Sequence, residues 1–147
     1  MNEYKDRILE VYGRFKVVTQ KWPPAPDVIR SDADALFFDE LLKFLAIRGV
    51  IDEDRDSGFT IGMRTGPVDD LWHRWLLWTG NYAWSCKFAL GHMVHHAANN
   101  PGMSPREWLD RHLAFRSAYF VCWGEVPTFW GTIEGIEDEF EKMMASR

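Results

Sequence analysis

The stretch YKDRILEVYGRFKVVTQKW, residues 4–22, repeats apolar side chains at Tyr4, Ile8, Val11, Tyr12, Phe15, Val18 and Trp22. Steps of three and four residues match the turn of an α-helix and not the alternation of a strand, so the stretch reads as a helix with one buried face. Pro23, Pro24 and Pro26 end it. Proline has no N–H to donate and clashes with the preceding turn. The same period recurs downstream. Ser31 opens a second helix, with Asp34 three positions on and able to reach back as a capping pair. Its core stripe is Leu36, Phe37, Leu41, Phe44, Leu45 and Ile47, and Gly49 fits a left-handed stop. Residues 51–66 are acidic first and glycine-containing later. They read as one long loop, with a short extended piece at Phe59-Thr60-Ile61. A loop of that length in a compact domain points to function.

Pro67 suits the first turn of a third helix, and Asp69 and Asp70 favour its positive end. That helix is expected to reach about Thr79, with Gly80-Asn81 breaking the chain. A fourth then runs from Tyr82 to about Ala98, closed by the turn Asn99-Asn100-Pro101-Gly102. Ser104-Pro105-Arg106-Glu107 combines a cap, a first-turn proline and a glutamate at the third position, a strong start for a fifth helix to about Cys122. A Pro/aromatic segment, Gly124 to Trp130, precedes a last helix from Ile133 to Met144. Ile136, Phe140 and either Met143 or Met144 point inward there. The expectation is an all-α, single-domain bundle of about six helices over residues 1–147, with one long loop.

Composition excludes several classes. The chain of 147 residues has ordinary apolar and charged fractions, so it reads as one globular domain. A net charge of −5 and no basic cluster argue against nucleic acid, which needs a patch that displaces phosphate counterions. The closest approach, Arg106 to Arg116, is interrupted by Glu107 and Asp110. No apolar run spans a bilayer, and the charged start Met1 to Asp6 is no signal peptide, so a cytoplasmic protein without a membrane partner is expected. Two cysteines, Cys86 and Cys122, form no disulfide framework. Eight tryptophans and ten phenylalanines are more ring surface than a core this size needs. Some of that surplus is expected outside, where Trp favours protein contacts.

Four of the five histidines fall in one segment. It contains Asp70, Trp72-His73, Thr79, Tyr82, Cys86, Gly91, His92 and His95-His96. Asp70, Trp72-His73, Thr79, Tyr82, Cys86, Gly91 and His95-His96 resemble, in order and spacing, the hallmark of the uncharacterised glycine-rich domain-containing protein-like family. The later Tyr119, Trp123-Gly124-Glu125, Pro127 and Trp130 are similar to that family's aromatic-Gly…Pro…Trp ending. The resemblance spans residues 67–130. It departs at Pro101, a proline later than the family's, and at Ser85, where an aromatic is usual. It implies membership and no activity.

Cys and His are ordinary zinc ligands, so the segment is a candidate metal site. On one continuous helix Cys86 and His96 would stand roughly 15 Å apart along the axis, and Cys86 and His95 would point to opposite sides. A site joining Cys86 to the His pair therefore needs a break near Gly91. His92 and His96, four apart, share a helix face, as do Asp69 and His73. A tight hairpin about Gly80 would let one ion collect Asp69 or Asp70 with His92 and His96. The candidate ligands for zinc or another divalent metal are Asp70, His73, Cys86, His92, His95 and His96. The candidate interaction surface is Trp72, Trp75, Trp78 and Trp84. Positions 72, 75 and 78 exceed one narrow stripe, so at least one ring should face outward.

A bland reading competes at each position. Asp70 can favour the helix start, Cys86 can be a small hydrophobe on the stripe Tyr82, Cys86, Ala89, Leu90 and Met93, and the His pair can satisfy a helix end. The carboxylates Glu40, Asp52, Glu53, Asp54 and Asp56 read as solvated and unpartnered. Three functions remain: a non-catalytic interaction module with a structural metal and a protein partner or self-association; a structural or assembly component of a phage-like particle, in the virion, or of another oligomer; and a small metal-dependent enzyme.

Overall fold

The structure, a computed structural model, describes residues 1–96 and 102–146. Six α-helices occur among them: α1 (Lys5–Lys21), α2 (Asp32–Glu53), α3 (Pro67–Leu76), α4 (Thr79–Leu90), α5 (Pro105–Trp123) and α6 (Ile133–Ala145), with no strand. They form the single-domain all-α bundle expected from the periodicity. No helix among the described residues is long and apolar enough to cross a membrane.

The bundle is organised around α2. Phe38, Leu41, Leu42, Phe44, Leu45, Ala46, Ile47, Val50 and Ile51 are all buried, so this helix is apolar nearly all round. That pattern marks a central helix covered on several sides. Helices α1, α3 and α5 pack on it, and α4 packs chiefly on α1. Leu36, placed in the stripe by sequence, is 70% exposed. It is the fifth residue of α2, before the helix enters the core at Phe38.

Capping follows side-chain chemistry. Ser31 Oγ accepts from Asp34 N–H at 3.1 Å, Ser104 Oγ from Glu107 N–H at 3.1 Å and Thr132 Oγ1 from Gly135 N–H at 3.0 Å. Each satisfies an orphan donor of a first turn. The Asp34 carboxylate reaches back to Arg30 N–H at 2.9 Å, and it also pairs with Arg74 of α3 at 3.0 Å.

Two glycines have roles opposite to those expected. Helix α2 does not stop at Gly49 but continues to Glu53. A Cβ at Gly49 would lie 2.4 Å from Leu90 Cδ1, so this glycine permits α4 to approach α2. Conversely, α4 does not continue to Ala98. It ends at Leu90, with Gly91 at φ +86° in the left-handed conformation and its N–H on Lys87 O at 2.8 Å. Glycine adopts that conformation without the Cβ clash. The expected helix end at Ala98 and the turn Asn99-Asn100-Pro101 lie outside the described residues.

The break between α3 and α4 falls at Leu77-Trp78, and Gly80 lies inside the first turn of α4. The loop expected over 51–66 is present from residue 54, after α2 ends at Glu53, and Phe59-Thr60-Ile61 joins no regular element. Ile61 is buried, and Gly62 N–H donates to Arg111 O at 3.3 Å, which ties the loop to α5.

Candidate metal centre

Helix α3 buries Val68, Leu71, Trp72 and Trp75, the i, i+3, i+4, i+7 set of one face. That orientation leaves Asp69 and His73, four apart, together on the flank. Their contact is an ion-pair geometry of 3.6 Å between His73 Nδ1 and Asp69 Oδ2.

The third member arrives by the turn at Gly91. Residues 92–96 leave the axis of α4, and a relay of hydrogen bonds fixes where they go. Trp72 Nε1–H donates to Tyr82 Oη at 3.1 Å, and Tyr82 O–H donates to Val94 O at 2.6 Å. Both aromatic residues are buried, as is Val94. A buried donor without a partner costs about 1–3 kcal/mol, so each bond holds its neighbour in place. His96 thereby lands with its ring 4.5 Å from Trp72 and 4.3 Å from His73, and its Nε2 is 3.2 Å from Asp69 Oδ1.

Ligand atoms from Asp69, His73 and His96 all lie within 4.8 Å of one another. Metal–ligand bonds of about 2 Å in a tetrahedron require ligand atoms roughly 3.3 Å apart. The trio needs a contraction of about 1.5 Å at its widest, within reach of side-chain torsions. Asp69 and His96 side chains are 16% and 22% exposed, while His73 is 53% exposed. One side of the trio is walled by Trp72 and the other is open.

The other proposed ligands are elsewhere. Cys86 is fully buried, and burial pushes its thiol above the ordinary range, so it is core and not a thiolate. His92 is held by Glu53, Nε2 to Oε1 at 3.2 Å, because α4 ends before it and the i, i+4 pairing with His96 never forms. His95 is exposed and lies beside His92 in a shallow depression, away from the trio. Asp70 is exposed and turned off the trio, since one residue rotates a helix side chain by about 100°. The carboxylate present is Asp69. Its spacing to His73 signalled it, while His96 became legible only with the Gly91 stop. Of the tryptophans, Trp72 and Trp75 are core and form no surface, because they occupy the inner face of α3. Trp78 and Trp84 are 46% and 52% exposed. Trp78 escapes because α3 ends two residues earlier.

Glu40 is not solvated. Tyr119 O–H donates to its carboxylate at 2.9 Å, Trp130 Nε1–H at 3.1 Å and Lys43 Nζ at 3.2 Å. Burial and the adjacent Glu40 carboxylate raise the Tyr119 hydroxyl far above its usual range. Glu53 and Asp54 also have partners, in Arg7 and Tyr4.

A cavity of about 370 Å³ adjoins the trio and extends to Arg48, Arg111 and His112. His112 is buried. Its Nδ1 is 2.7 Å from Trp108 O and therefore carries the proton, while Nε2 has no partner among the described residues. Burial, with Arg64 and Arg111 nearby, holds its pKa below the ordinary 6.5, so the ring is neutral. No feature of the sequence set this histidine apart.

The chain matches no protein-family model, and neither a curated protein nor a solved structure is significantly similar to it.

Proposed function

We propose that this chain is a helical binding module whose working element is one divalent metal held by Asp69, His73 and His96. The convergence of those three ligand atoms is the observation that supports it. Two imidazoles and a carboxylate suit zinc or iron(II). Closed structural zinc sites use four protein ligands, whereas this trio offers three and an open side, an arrangement that leaves a coordination position for water or a second molecule. A bound ion would make such a water more acidic. The resemblance to the glycine-rich domain-containing protein-like family belongs to the same proposal, with His73 and His96 of its pattern as ligands and Trp72, Tyr82 and Gly91 positioning them.

Zinc titration of metal-free protein tests this reading. One equivalent is expected to bind, and free zinc at a hundred times Kd should raise stability by about 2.7 kcal/mol. Asp69→Ala and His96→Ala should abolish both effects, while Asp70→Ala, His92→Ala and His95→Ala leave them intact. Stoichiometric binding that survives loss of His96 would sink the assignment.

A second reading, contact with a protein partner or self-association, has its own support. Trp22 and Trp84 meet edge to face at 6.1 Å and are both half-exposed, and Leu77 beside Trp78 is 82% exposed. Half-exposed tryptophans are frequent binding anchors. Light scattering over a concentration series should show association that Trp84→Glu removes; a monomer at every concentration disfavours self-association.

A further inference from the structure

The cavity beside the trio has a chemical character of its own. Among its charged lining groups, Arg48 and Arg111 balance Asp52 and Asp69. Arg48 is already engaged by Asp52 at 3.5 Å. Arg111 has no ion pair among the described residues, although its backbone is held through Gly62. A dication on Asp69, His73 and His96 would leave the lining with net positive charge. His112 adds the opposite requirement, a buried lone pair at Nε2 with nothing donating to it among the described residues. Buried acceptors are normally satisfied, so an empty one beside a cavity marks where a donor belongs. Trp72 and Trp108 complete apolar walls.

We propose that this cavity binds a small oxyanion, a carboxylate or a phosphate, that also carries a hydroxyl or amine donor. The proposal rests on the metal centre and gives it a ligand class. The oxyanion occupies the space between the ion and Arg111, whose planar fork suits such a group. The donor meets His112 Nε2. Metal and oxyanion then bind with positive coupling, each tightening the other by the same factor.

Calorimetric titration of glycolate, acetate and inorganic phosphate into the chain with and without one equivalent of zinc tests this. Glycolate or phosphate should bind the zinc-loaded chain at least tenfold more tightly than the zinc-free chain. Which of the two binds more tightly assigns a hydroxy acid or a phosphate. Arg111→Met should weaken that binding tenfold or more while zinc affinity stays within twofold. Glycolate should exceed acetate severalfold, and His112→Phe should erase the part of that preference not due to chelation of zinc. If His112→Phe does not fold, Arg111→Met decides. Zinc bound without either oxyanion, or unchanged affinity in Arg111→Met, overturns the cavity assignment alone. A glycolate preference fully retained in folded His112→Phe overturns the donor contact. Failure of zinc to bind overturns the metal centre and the cavity assignment together, and that outcome is distinguishable at the first titration.

Discussion

Glu40 and Asp69 are carboxylates set among aromatic and basic groups, and they end in opposite states. Glu40 is buried between α2, α5 and the turn at Trp130, and Tyr119, Trp130 and Lys43 supply its donors. Asp69 lies on the flank of α3 with two imidazoles for neighbours, one of them half open to solvent. Fixed hydroxyl and indole donors complete the first cluster and leave it no further chemistry. Imidazoles carry lone pairs as well as protons, so the second cluster can exchange its internal hydrogen bonds for an ion. The difference between a strut and a site here lies in whether the partners of the carboxylate can also be ligands.

The largest expected effect separates the two directly. Glu40→Ala leaves Tyr119 O–H and Trp130 Nε1–H without their buried acceptor, while Lys43 keeps Asp39 at 3.7 Å, and it should cost about 3–5 kcal/mol in urea unfolding. Asp69→Ala in metal-free protein should cost within about 1 kcal/mol, because its pairs are partly solvated. Equal costs would erase the distinction between strut and site.

Gly49→Ala sharpens it from a distance. The new Cβ meets Leu90 Cδ1 at 2.4 Å, and overpacking of this kind costs roughly 1–3 kcal/mol. Leu90 immediately precedes the Gly91 turn that delivers His96. Zinc affinity should therefore fall together with the melting temperature. A loss of stability with zinc affinity unchanged would show that the turn tolerates movement of α4.

These contrasts explain what the sequence disclosed. Helix α1, with one apolar stripe, is legible because local period decides it, and α5 because Ser104, Pro105 and Glu107 mark its start. Gly49 and Gly91 exchange the roles that spacing suggests, since glycine serves both close approach and positive φ, and only the facing residue tells which. Cys86 belongs to the motif yet lies on the buried stripe of α4, so motif membership did not imply a ligand. The burial of Glu40 is not legible in sequence because its partners Tyr119 and Trp130 are 79 and 90 residues away. The Asp69–His73 half of the site was local and visible. The His96 half depended on a turn and a relay through Tyr82 that no spacing rule encodes.

His112 stands between the two cases, buried like Glu40 but with Nε2 unpartnered among the described residues. Its pKa is depressed below 6.5 by burial first, with the backbone acceptor Trp108 O opposing and Arg64 and Arg111 adding to the depression against Glu139. Above pH 6.5 the ring is neutral in folded and unfolded chains, so it contributes no pH dependence. Below 6.5 the unfolded chain takes up a proton that the folded ring resists, and stability falls until the lowered folded pKa is reached. The slope from this one group is at most about 1.4 kcal/mol per pH unit. Asp34 and Asp39, whose pKa values are lowered from 3.8, add their losses only in the more acidic carboxylate range. His112→Gln should therefore flatten the stability profile between pH 6.5 and 5 and leave the steeper loss below pH 4 in place. An unchanged slope in that upper window would mean that the folded ring takes up its proton as readily as the unfolded one, as it would if Nε2 faced an acceptor and not a missing donor.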